Sequence, residues 1–134
     1  MASINSEYRG ELRTNSIHTL SGNEIITDAP IDNNGKGEAF SPTDLVCTAL
    51  CTCMLTIMGI VARKEDLELS GLRASITKIM ADSPRKISEI HIDFVWEKPT
   101  GTPQQKQKLK SAALSCPVAL SINPSIYQKI TFSF

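Results

Sequence analysis

Ser41-Pro42-Thr43-Asp44-Leu45-Val46-Cys47-Thr48-Ala49-Leu50-Cys51-Thr52-Cys53-Met54-Leu55-Thr56-Ile57-Met58-Gly59-Ile60-Val61-Ala62 is the stretch whose reading decides the fold. Its first four residues form a helix start. The Ser41 hydroxyl is placed to cap the first turn, Pro42 suits the first helical position, and Asp44 is placed to bond back to the Ser41 amide. The 18 residues from Leu45 to Ala62 carry no charge. A soluble helix without a charged face has to be covered all round. One chain of 134 residues covers it poorly alone, so a partner subunit is expected. The stretch also meets the lower limit for a membrane span, about 18 apolar residues. Thr48, Thr52, Thr56 and Gly59 dilute it and no aromatic belt flanks it, so a soluble protein that does not engage membranes is expected.

Outward from this helix the periodicity changes to that of strands. Tyr8 to Arg13, Ser16 to Leu20 and Glu24 to Thr27 read as short strands of a meander, with Ser21-Gly22-Asn23 as a turn and Asp32 to Gly37 as a loop. Beyond Arg63-Lys64, whose cations suit a helix C-terminus, Leu72, Ala74, Ile76 and Met80 alternate with polar residues as a half-buried strand. Ser83-Pro84-Arg85 turns the chain. Ile90, Ile92, Phe94 and Trp96 then alternate against Glu89, His91, Asp93 and Glu97 to make the hairpin partner. Thr102-Pro103-Gln104-Gln105 repeats the capping logic, and Leu109, Ala112, Ala113 and Cys116 follow at helical spacing. Pro117 to Ser121 reads as a new short turn, and Ile126, Ile130, Phe132 and Phe134 as a closing strand. The expected class is α+β in a single domain, 1–134.

Composition narrows the function classes. Hydrophobic residues make up 41% of the chain, enough for a core without disulfide staples. Three of the four cysteines crowd into the central helix and no apolar leader precedes them, which points to a reducing cytoplasm. Net charge is zero and the basic residues form no block, so no nucleic-acid partner is expected. Cys47 and Cys51 share a helix face as small core residues, while Cys53 points about 200° away from Cys51, so the three do not converge on a metal. No metal or cofactor is expected. His18 and His91 read as ordinary strand residues, and Met54, Met58 and Met80 as core filler.

Cys53 and Cys116 remain. A thiol on a buried helix is inert unless a cation or helix N-terminus favours its thiolate. Cys116 precedes Pro117 and therefore stands at the N-terminus of the short turn, a position that lowers a thiol pKa below its free value of about 8.5.

Ser41-Pro42-Thr43-Asp44-Leu45, the small-residue run Ala49-Leu50-Cys51-Thr52-Cys53-Met54, and Cys116-Pro117-Val118 together resemble the osmotically inducible protein C and organic hydroperoxide resistance family, over Tyr8 to the C-terminus. The resemblance implies an OsmC-like fold: antiparallel sheets around a long central helix, in an intertwined homodimer with active sites at the interface. It implies a thiol peroxidase in which Cys53 attacks an organic hydroperoxide and Cys116 resolves the sulfenic acid as a disulfide, reduced afterwards by a dithiol or small thiol. It further implies an arginine beside the thiolate, with Arg13 the first candidate and Arg9 the second, and an acid that orients it. Well-characterised peroxidase members place that acid directly after the proline, where this chain has Thr43; Asp44 and Glu38 are the candidates here, Asp44 also as a helix cap. The alternative reading keeps fold and dimer as a redox-sensitive or small-ligand-binding protein without efficient peroxidase activity.

Overall fold

Gly10-Glu11-Leu12-Arg13 folds the N-terminal strand back on itself. Glu11 and Leu12 sit at φ 53° and 64°, and positive φ at both central residues is what a tight two-residue hairpin with native strand twist requires. Two strands therefore stand where the sequence reads one running from Tyr8 through Arg13: β1, Ile4–Gly10, and β2, Arg13–His18. β3, Glu24–Asp28, completes an antiparallel sheet in the order β1-β2-β3. The turn expected at Ser21-Gly22-Asn23 joins β2 to β3, with Gly22 at φ 74°. A single 3-10 turn, Ile31–Asn33, lies in the loop that follows.

The computed structural model describes residues 1–134 as two compact units, Met1–Val46 and Cys47–Phe134. The long helix α1, Pro42–Lys64, begins in the first unit and continues through the second. Its start is the expected reciprocal cap. The Asp44 amide donates to Ser41 Oγ and the Ser41 amide donates to Asp44 Oδ2, each at 3.0 Å.

In the second unit α1 buries Cys47, Leu50, Cys51, Met54, Met58 and Ala62, a stripe with steps of three and four. They pack into a core with Ile90, Ile92 and Phe94 from β5, Lys86–Val95, with Trp96 just beyond its end, and with Leu109, Ala113 and Cys116. The opposite side of α1 stays exposed at Ala49, Thr52, Thr56 and Ile60. Thr52 and Thr56 turn their hydroxyls back onto the carbonyls of Thr48 and Thr52, both at 2.8 Å, so this side offers little but small apolar surface.

The hairpin β4, Arg73–Ala81, with β5 stands as expected. Helix α2, Pro103–Leu114, starts at a full capping box between Thr102 and Gln105, and α3 occupies Pro117–Ser121. The last strand, β6, Tyr127–Ser133, runs parallel to β5, so the second sheet departs here from the antiparallel pattern implied by the resemblance. Phe132 stacks on Phe94 at 5.3 Å, and Trp96 meets Phe134 edge-on while donating its indole N–H to the Ser70 carbonyl at 3.0 Å. That donation removes the cost of an unpaired buried indole.

Candidate active site

The core stripe of α1 holds the helix so that Cys53, between its two sides, is half-buried. Cys116 lies at the break between α2 and α3, because Pro117 forces the preceding residue into extended backbone at φ −65°, ψ 153°. The residue is fully buried. Its Sγ accepts a hydrogen bond from the Ala119 amide at 3.4 Å, and the thiol lies close enough to Cys53 for the two to act on each other electrostatically. All four cysteines are free thiols. The two residues singled out from the sequence are thus brought together from opposite ends of the unit.

The expected electrostatics of Cys116 need correcting. Its pKa is raised, first by burial and further by the hydrogen bond and like charge of Cys53; the Ala119 and Val118 amides pull the other way and lose. Five residues of helix carry little dipole, whereas complete desolvation acts on the charged form alone. Cys116 in this reduced state is a neutral thiol. Burial likewise raises Cys51, which with Cys47 sits in the core as expected.

Arg13 belongs to the first unit, at the start of β2 just past the hairpin. Its Nε and Nη2 each donate to Asp28, at 2.7 Å, as a two-pronged fork. Nη2 also donates to Glu38 at 3.0 Å, and the Glu38 amide donates to Asp28 Oδ2 at 3.1 Å. Asp28 is 1% exposed. The Arg13 fork holds its carboxyl below the ordinary aspartate range against the opposing effect of burial, and Asp28 in turn raises the Arg13 pKa. Arg9 instead pairs with Glu7 at 3.2 Å on the exposed surface.

Arg13 is therefore the arginine with an organised acidic partner. That partner is Asp28, which no sequence motif singles out, with Glu38 as its second. Asp44, the other candidate, has its carboxylate in the helix cap. The missed signal was register: with the hairpin placed at Glu11-Leu12, Arg13 and Asp28 become direct cross-strand partners.

The model of the OsmC-like protein family matches residues 35–131. The chain belongs to the OsmC-like family. A crystal structure from Psychrobacter arcticus, of a protein assigned to osmotic stress induction and detoxification response, is 49% identical with a TM-score of 0.93, covering 98% of this chain and 96% of that one. The fold is shared at 16% identity by an organic hydroperoxide resistance protein OsmC from Legionella pneumophila, with a TM-score of 0.72 and 100% and 98% of the two chains covered. It is shared at 14% identity by a Vibrio cholerae protein assigned to organic hydroperoxide resistance, with captopril bound in one of its active sites, at a TM-score of 0.69 over 98% and 92% of the chains. No curated protein matches the sequence. In this OsmC-like chain the residue after Pro42 is Thr43, whose hydroxyl bonds Ser41 Oγ at 3.1 Å.

Proposed function

We propose that this OsmC-like protein is a cysteine-based peroxidase for organic hydroperoxides that works as a homodimer in a reducing cytoplasm. The observation that carries the reading is the thiol pair. Cys53 is half-buried and Cys116 fully buried, and the two thiols lie close enough to act on each other electrostatically. Cys53 as thiolate attacks the distal oxygen of the hydroperoxide, and the alkoxide leaves as alcohol after taking a proton. The sulfenic acid then condenses with the Cys116 thiol, losing water and forming a disulfide before further oxidation becomes irreversible. An external dithiol or two small thiols return both residues to the reduced state.

The resemblance to the family assigns the role of the cation that favours a Cys53 thiolate to Arg13, which Asp28 and Glu38 hold within the first unit. The organic character of the substrate is carried over from the hydroperoxide resistance proteins that share the fold. The partner is a second copy of the chain, supported by the uncharged exposed side of α1 and by exposed apolar residues on the first sheet, among them Ile4, Ile17 and Ile25.

Mass spectrometry after one equivalent of cumene hydroperoxide tests the reading. A Cys53–Cys116 bridge is expected in the wild type. Cys53→Ser abolishes peroxide consumption, and Cys116→Ser allows a single turnover without recycling. Four free thiols after treatment would sink the enzyme.

A further inference from the structure

A disulfide offers two sulfurs to an incoming thiol, and their surroundings here are unequal. Cys116 is 0% exposed, enclosed by the second unit's core. A partner subunit adds cover and removes none. Cys53 is half-buried on α1, and it is the sulfur that a hydroperoxide has to reach in every turnover. Any path that admits a hydroperoxide to Cys53 leads a small thiol to the same atom.

We propose, resting on the peroxidase reading, that the external reductant attacks Cys53 and that Cys116 is the leaving group. The reductant thiolate forms a bond to the Cys53 sulfur as the Cys53–Cys116 bond breaks, and its electron pair departs on Cys116. A second thiol, from the same dithiol or another molecule, attacks the mixed disulfide, releasing the Cys53 thiolate and the oxidised reductant. Two thiols give up two electrons, and their two protons balance the two cysteines.

Exchange rates depend on access to the attacked sulfur and on stabilisation of the departing one. Access favours Cys53. The departing charge on Cys116 meets the Ala119 amide, which already donates to its Sγ at 3.4 Å. Burial keeps the pKa of this thiol high and so opposes its departure, which leaves access to the attacked sulfur to decide the choice.

Tryptic cleavage makes the choice readable, because peptide 37–63 carries Cys53 whereas peptide 111–129 carries Cys116 alone. Wild-type protein is oxidised with diamide, which needs no peroxidase activity, and the linked peptides are confirmed. A short pulse of 2-mercaptoethanol is quenched in acid and the free thiols are blocked. The adduct is expected on peptide 37–63, with fragmentation placing it on Cys53, in at least about tenfold excess over peptide 111–129. Equal adducts, or an excess on Cys116, overturn the proposal. Failure of diamide to link the two peptides overturns it together with the peroxidase reading. A linked disulfide with the expected adduct, in protein that consumes no hydroperoxide, removes the peroxidase reading and leaves the choice of sulfur standing.

Discussion

Arg13 and Asp28 show how one residue pair depends on a conformation several positions away. Moving the hairpin by a single residue would turn Arg13 to the other face of the sheet and separate the two prongs of its fork from Asp28. Because Arg13 holds the Asp28 carboxyl low, the pair contributes full stability above the ordinary aspartate pKa of about 3.9. That contribution is lost as pH falls through the lowered native value. Urea unfolding followed from pH 6 downward is therefore expected to show an acid limb below about pH 4 that flattens in Asp28→Asn. Arg13→Lys keeps the charge and loses the fork, so peroxide consumption is expected to fall roughly tenfold while the circular dichroism spectrum is unchanged. An unaltered rate in that variant would remove Arg13 from the mechanism.

At the scale of elements, caps were legible and the first turn was not. Ser41 with Asp44 and Thr102 with Gln105 are local signals whose hydrogen bonds span three residues, and both formed as read. Thr102→Ala is expected to cost about 1 kcal/mol in urea unfolding, with an unchanged slope. The Glu11-Leu12 turn lacks the Asn-Gly signature of its type, so nothing local in the sequence marks a break between Tyr8 and Arg13. Leucine in left-handed backbone is strained, and Leu12→Asn is expected to raise stability by on the order of 1 kcal/mol. A destabilised variant would show that the Leu12 side chain contributes more by packing than its backbone costs. The closing strand was likewise visible as alternation, whereas its parallel pairing with β5 was not, because period-two alternation carries no direction.

For the whole molecule, the two sides of α1 make opposite predictions. Leu50 is fully buried, so Leu50→Asp places an unpaired charge in the core and is expected to cost several kcal/mol, with loss of fold and association together. Ile60 is 47% exposed in the single chain. Ile60→Glu is expected to keep the circular dichroism spectrum while weakening self-association about tenfold or more, read by sedimentation across a concentration series. A wild-type chain that stays a compact, active monomer at every concentration contradicts the dimer.

The sequence by itself determined the helix start at Ser41, the uncharged run that makes α1 a core element and the hairpin of β4 and β5, and it singled out Cys53 and Cys116 as the candidate thiols. Each rests on a periodicity or a cap written within a few residues. Only the tertiary structure decided that Cys53 and Cys116 meet, that burial outweighs the helix terminus at Cys116, and that Asp28 rather than Asp44 holds Arg13. These depend on how deeply a side chain is desolvated and on which strand positions face each other across 15 residues of chain. Neither quantity is local.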